Sequence, residues 1–157
     1  MSAEVGTAAP DFTLFDTDGN EFSLSSLKGK KVVLAFFPAV FSGVCDDEMC
    51  TFRDALSDYS SLNASVVAIS TDARFGNAEF KNKHGLNFPV LSDYKKSTIE
   101  DYGVAWPDFA GMDGFTAAQR SVFVIGTDGN IIWKWLCNVP SDLPPFDEVK
   151  SQVEALG

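Results

Sequence analysis

Cys45 is the residue with the most chemistry within reach. It stands in the segment Phe36-Phe-Pro-Ala-Val-Phe-Ser-Gly-Val-Cys-Asp-Asp-Glu-Met-Cys50, where a buried-strand pattern gives way to a helix pattern. The first turn of a helix aims unpaired backbone N–H groups and the positive end of the helix dipole at such a sulfur. A thiol so placed is expected to fall below its usual pKa of about 8.5, with thiolate prevailing near neutrality. That thiolate is a nucleophile and a site of reversible oxidation. Ser42, three residues earlier, offers a hydroxyl as donor and acceptor beside the sulfur. Pro38 fixes the entry of the loop and adds no competing N–H. Asp46, Asp47 and Glu48 steady the helix start through its dipole but push a neighbouring thiol up, so a cation has to offset them. Arg120 is the candidate, because it opens an apolar strand that can lie across a sheet from the helix start. Arg53 is the in-sequence alternative, about 12 Å along the helix from Cys45.

Cys50 is the second sulfur of the segment. Five residues on an intact helix turn through roughly 500° and rise about 7.5 Å, leaving the two Cα atoms roughly 8–9 Å apart. A disulfide needs less than about 7 Å and converging Cβ vectors. A Cys45–Cys50 bond therefore forms only if the first turns of the helix unwind. Cys137 reads as structural, with a resolving or intermolecular role as its alternative, and His84, next to Gly85, reads as the cation at a helix C-terminus.

The surrounding pattern supplies the elements. Asp11–Leu24 reads as a β-hairpin across Asp16-Thr-Asp-Gly-Asn20. Lys31–Phe37 is an apolar run suited to a strand buried on both faces. An amphipathic helix spans about Val44–Leu62, with Cys45, Met49, Phe52, Leu56 and Tyr59 on one stripe and Cys50 off it. Ser65–Ile69 is a second buried strand and Ala73–His84 is helical. In Phe88–Leu91, Pro89 points to a sheet edge or a strand start. Lys95–Tyr102 is a short helix. Ser121–Ile125 and Ile131–Leu136 flank Thr127-Asp-Gly-Asn130 as a hairpin, and Pro145–Leu156 is a C-terminal helix. Trp106–Phe115 is a loop bearing three large apolar groups, read either as ordinary packing or as an exposed patch. This order predicts an α/β chain with one mixed central sheet flanked by helices and an N-terminal β-hairpin. Sites in such folds lie past the carboxyl ends of the parallel strands, which is where Pro38–Cys45 falls.

Composition narrows the function classes. The 157 residues carry 22 Asp and Glu against 12 Lys and Arg, a formal charge of −10. That balance argues against nucleic-acid binding and against a basic membrane-surface patch. With 45% apolar residues, intrinsic disorder is excluded, and residues 1–157 read as one domain. No run approaches the roughly 20 apolar residues of a membrane helix, and the opening residues lack a signal-peptide pattern. Three cysteines are too few for a disulfide scaffold. A reducing, cytoplasmic setting is expected, where cysteines serve redox or metal chemistry.

Pro38-x-x-x-Ser42-x-x-Cys45 after an apolar strand resembles the active-site motif of the peroxiredoxins, thiol peroxidases on a thioredoxin fold. The resemblance extends to Val5-Gly-Thr-Ala-Ala-Pro-Asp-Phe-Thr-Leu14, to Phe88-Pro-Val-Leu-Ser-Asp93 with Tyr102-Gly-Val104, and to Arg120-Ser-Val-Phe-Val-Ile-Gly-Thr-Asp-Gly129. Phe36-Phe-Pro38 with Phe41-Ser-Gly-Val-Cys45 is similar to the one-cysteine branch related to alkyl hydroperoxide reductase E. The Cys-x-x-x-x-Cys spacing is similar to the bacterioferritin comigratory protein branch, in which the second cysteine resolves the first. Ser42 stands where most members have Thr. The resemblance implies that Cys45 attacks a hydroperoxide and becomes a sulfenic acid. It implies that Ser42, Arg120 and the N–H groups of Val44 and Cys45 hold the peroxide, and that Cys50 then resolves the sulfenic acid as a disulfide. It further implies recycling by thioredoxin, glutaredoxin or a similar dithiol, no metal or organic cofactor, and a monomer or homodimer.

The alternatives are a one-cysteine peroxidase resolved by an external thiol and a thioredoxin-fold redox or chaperone protein. A disulfide reductase of the thioredoxin kind would carry Cys-x-x-Cys at the helix start. A metal module built on Cys45, Cys50 and His84 departs from the tighter Cys-x-x-x-Cys spacing of related copper chaperones.

Overall fold

Short alternating segments open the fold. Thr13–Phe15 (β1) and Glu21–Ser23 (β2) pair antiparallel, with Thr13 opposite Ser23 and Phe15 opposite Glu21. Asp16 closes their turn by accepting the N–H groups of Asp18 and Asn20 on Oδ1, the side-chain chemistry that suits Asp to turns. A 3-10 turn at Leu24–Leu27 follows. Next come Lys31–Phe36 (β3), Val44–Ser61 (α1), Ala64–Ser70 (β4), Arg74–His84 (α2), Val90–Ser92 (β5) and Ser97–Asp101 (α3). The chain continues through Ala105–Trp106 (β6), Ala117–Ala118 (β7), Ser121–Ile125 (β8), Ile131–Leu136 (β9) and Phe146–Ala155 (α4). This computed structural model describes residues 3–156; Met1, Ser2 and Gly157, the ends of the expected 1–157 domain, lie outside the described residues.

The main sheet runs β2-β1-β5-β4-β3-β8-β9. Its centre is parallel, β3 with β4 and β4 with β5, and its flanks are antiparallel. The mixed sheet with an N-terminal hairpin is thus the architecture that the sequence order predicts. Pro89 directly precedes β5, so it marks a strand start. β5 itself lies between β4 and β1, and the Pro89 carbonyl accepts the Ala68 N–H at 3.0 Å. The ribbon of β6 and β7 is an addition to the sequence reading, because strands of two residues are too short to show a period. Within it Trp106, Phe109 and Phe115 pack edge to face at 5.8 and 6.3 Å. Ordinary loop packing accounts for these rings, although Met112 beside them is exposed.

Alternation along β3 builds two cores. Val33, Ala35 and Phe37 enter one cluster with Met49 and Phe52 of α1, Phe80 of α2 and Val149 and Val153 of α4. Val32, Leu34 and Phe36 enter the other with Phe123, Ile99 of α3 and Tyr102. Side chains on both faces leave water, each large one contributing about 1.5–3 kcal/mol of burial free energy. The expected stripe of α1 is the buried one, from Cys45 through Met49 and Phe52 to Tyr59, with Leu56 half-buried. Sheet and stripe together bring the N-terminus of α1 to the carboxyl end of β3.

Candidate active site

The turn from β3 into α1 is held under strain. Phe37 and Pro38 end the buried strand run, and the next residues emerge toward solvent. The Val40 N–H donates to Asp72 Oδ2 at 3.0 Å. Asp72 is anchored in turn, its N–H on Ser70 Oγ at 3.2 Å and its carbonyl on the Ser92 hydroxyl at 2.6 Å. Phe41 adopts φ 62°, a left-handed conformation that costs a residue with a Cβ about 1–2 kcal/mol. Gly43 sits at φ 74°, ψ −66°, and across it the Val44 N–H donates to the Ser42 carbonyl at 2.8 Å. That geometry is the strained γ-turn with positive φ, which glycine tolerates best. α1 therefore begins without a side-chain cap, and Cys45 occupies its first turn.

Cys45 is completely buried, and so is the charge beside it. Arg120, 1% exposed, places Nη1 3.2 Å from Cys45 Sγ and 2.7 Å from Glu48 Oε1, while its Nη2 donates to the Pro140 carbonyl at 3.2 Å. The Ser42 hydroxyl and the Ala39 N–H also donate to the sulfur. Burial is the largest influence on the thiol and pushes it up. Arg120, then Ser42 and Ala39, pull it down, and Glu48 pushes it up again. The net direction is upward, opposite to the expectation from helix placement alone. The helix start does not offset the cost of charging a sulfur with no water around it. In the closed site the thiolate depends on Arg120 and the two donors.

Glu48 is completely buried, so it is more than a dipole-stabilising residue at an exposed helix start. Burial pushes its carboxyl up to about 7, with the Arg120 charge and hydrogen bond opposing. Arg120 itself is pushed up against the effect of its burial, by Glu48 first and by Cys45. One guanidinium thus serves two buried acids, and the protonation of Glu48 decides how much of its charge is left for the sulfur.

Other sequence-predicted residues fall into place or apart. Arg53 spends its guanidinium on Asp54 and on the His84 carbonyl, which leaves Arg120 as the cation at Cys45. Cys50 is half-buried, unpaired and off the apolar stripe, on the same unbroken helix as Cys45. The Val44 N–H is committed to Ser42, so in this conformation it is not free for a substrate, as the sequence reading expects it to be. Cys137 is buried and unpaired, its thiol pushed up by burial, and its N–H donates to the Arg120 carbonyl at 2.9 Å. No cluster of three His, Cys, Asp or Glu among the described residues is placed to hold a metal ion. A surface cleft of about 450 Å³, lined by residues such as Phe12 and Tyr94, does not include the sulfur.

Three supports escape sequence reasoning. Asp72 and the Pro140 carbonyl act on the site from loops 32 and 20 positions from their partners, and the Ala39 N–H meets Cys45 only through the fold of the loop between them. Asp142, which accepts the N–H groups of Asn138 and Val139 on Oδ2, holds the turn that presents Pro140. An Asp four residues beyond Asn138 is the only local trace of that turn.

Comparison with known proteins gives one direction. The AhpC/TSA family matches residues 5–134. The peroxiredoxin bcp of Coxiella burnetii is 38% identical over 86% of this chain and 89% of its own. The peroxiredoxin Bcp of Bacillus subtilis is 33% identical over 86% of each. Among solved structures, the peroxidoxin BcpB of Mycobacterium tuberculosis superposes with a TM-score of 0.88 at 29% identity, covering 99% of both chains. No helix among the described residues is long and apolar enough to cross a membrane.

Proposed function

The chain belongs to the AhpC/TSA family, the thiol-dependent peroxidases called peroxiredoxins, and on that footing we propose that Cys45 is the residue that meets the hydroperoxide. The observation that carries this assignment is the pair of hydrogen bonds Arg120 makes through one nitrogen, to Cys45 Sγ and to Glu48. A buried cysteine in a structural role has no use for a buried guanidinium at 3.2 Å. The Cys45 thiolate attacks the terminal peroxide oxygen and the O–O bond breaks. The remaining oxygen leaves as water or an alcohol with one proton, and the sulfur becomes a sulfenic acid. Arg120, Ser42 and the Ala39 and Cys45 N–H groups stabilise charge on the oxygens during that transfer, and Pro38 walls the loop. Val44 contributes only if its bond to Ser42 yields.

Cys50 is the proposed resolving residue. Its sulfur bonds to Cys45, the sulfenic S–O bond breaks, and the hydroxyl leaves as water with the Cys50 proton. This needs the first turns of α1 to unwind. A dithiol protein of the thioredoxin or glutaredoxin class then reduces the disulfide, so the electrons come from thiols and no cofactor is called for. The unbroken helix through both cysteines favours one rival, resolution of the sulfenic acid by an external thiol. A single-domain monomer or homodimer in the cytoplasm, without nucleic-acid or membrane partners, suits the acidic charge and the free cysteines. Peroxide consumption by Cys45→Ser tests the main assignment: it is expected to vanish, and unchanged consumption would refute it.

A further inference from the structure

The segment that carries both cysteines rests on the last turn of α2. Asp46 Oδ2 stands 3.4 Å from His84 Nε2. Arg53 Nη1 donates to the His84 carbonyl at 2.6 Å. The Phe41 ring meets Phe80 edge-on at 5.4 Å and lies 6.3 Å from the imidazole, with Lys83 Nζ 5.6 Å over it. Phe80 backs the imidazole at 5.1 Å. Gly85, at φ 60°, ends α2 directly after His84, with the Leu86 N–H closing back on the Lys81 carbonyl at 3.0 Å. A left-handed residue there satisfies the last carbonyls and fixes His84 as the final helical residue.

These contacts bracket the chemistry. Phe41 and Asp46 lie on either side of Cys45, and Asp46 and Arg53 lie on either side of Cys50, whose thiol is within the electrostatic reach of Arg53. Asp46 Oδ1 and His84 Nε2 are shut off from solvent without hydrogen-bond partners among the described residues. The close approach of Asp46 is therefore the main polar contact of that ring nitrogen. None of these side chains contacts the Cys45 sulfur, whose donors are Arg120, Ser42 and the Ala39 N–H.

We propose that His84 is a latch on this segment, a positioning residue that holds the first turns of α1 closed and whose release sets the rate at which Cys50 reaches Cys45. The inference rests on the reading of Cys50 as the resolving residue. In the step it controls, the S–S bond forms as the sulfenic S–O bond breaks. Cys50 is oxidised, the Cys45 sulfur is reduced from the sulfenic level, and water carries away the hydroxyl and the thiol proton. No further oxidant is required.

Rapid mixing with hydrogen peroxide separates the two steps. Trapping with dimedone follows the sulfenic acid, and non-reducing peptide mapping follows the disulfide. His84→Phe keeps a ring against Phe41 and Phe80 and removes the polar contact; His84→Gln returns a side-chain N–H donor. The disulfide is expected about fivefold faster in His84→Phe, equivalent to about 1 kcal/mol. Sulfenic acid formation is expected to keep its rate, and His84→Gln to restore the slower resolution. Asp46→Ala removes the other partner and gives the same acceleration relative to sulfenic acid formation, which covers a His84→Phe chain that fails to fold. Unaltered resolution in these variants, an equal gain in His84→Gln, or equal changes in both steps would overturn the latch. Amide exchange across residues 44–53 in a Cys50→Ser background reads the opening without the disulfide and should also quicken about fivefold with His84→Phe. If the parent chain forms no Cys45–Cys50 disulfide, the resolving assignment fails, and exchange alone decides the latch.

Discussion

Arg120 reaches Cys45 from 75 positions further along the chain, its Nη1 3.2 Å from the sulfur. The register of the sheet makes this possible. Phe36 pairs with Ser121 across β3 and β8, so the residue before Ser121 comes level with the start of the loop that carries Cys45. Replacement by Leu removes the main force pulling the thiol down. Arg120→Leu should raise the Cys45 pKa and slow its oxidation by peroxide about 10²- to 10³-fold at neutral pH. Arg120→Lys keeps the charge but loses the fork that spans Cys45, Glu48 and Pro140, and should fall between the two. Stopped-flow oxidation across a pH series checks both.

Glu48 supplies a pH dependence with a definite sign. Its carboxyl, pushed up to about 7 from an ordinary 4.5, keeps its proton in the folded chain where the unfolded chain has lost it. The stability this contributes is fully present below pH 4.5 and is lost as pH rises through about 7, on the order of a few kcal/mol in all. Glu48→Gln should flatten that slope, as urea unfolding at acid and neutral pH would measure. It should also lower the Cys45 pKa, because Glu48 pushes the thiol up; thiolate absorbance across the pH series reads that shift.

Asp142 acts on Arg120 at one remove. It holds the Asn138–Val139 turn, and that turn presents the Pro140 carbonyl to the guanidinium. Asp142→Ala should slow Cys45 oxidation about tenfold through misplacement of Arg120. The melting temperature should hardly move, and Asp142→Asn, which keeps an acceptor oxygen, should recover most of the rate.

Much of this arrangement is legible in single stretches of sequence. The stripe from Cys45 to Tyr59, the apolar run of β3 and the turn before β9 each announce themselves by local periodicity. Arg120 is legible as a candidate cation from the acidic helix start, and the resemblance sets it apart from Arg53, since an arginine opening a strand is otherwise a surface charge. Asp72 on Val40, Pro140 on Arg120 and Asp46 near His84 lie 32, 20 and 38 positions apart. Such pairs arise from the packing of separate elements, which periodicity does not encode. The direction of the Cys45 shift escapes for the same reason: it depends on burial by the whole fold, while the helix start is visible locally.

Phe52 ties the site helix to the rest of the core. It is completely buried and meets Phe146 of α4 edge to face at 5.3 Å. Phe52→Ala should cost about 3–5 kcal/mol, or roughly 10 °C of melting temperature for a chain of this size, as calorimetry would show.

The most direct test of the account is non-reducing peptide mapping after one equivalent of hydroperoxide. Cys45 should be found joined to Cys50, with Cys137 free, and in Cys50→Ser it should be found as a trapped sulfenic acid. A Cys45 thiol that stays reduced while peroxide is consumed would contradict the account.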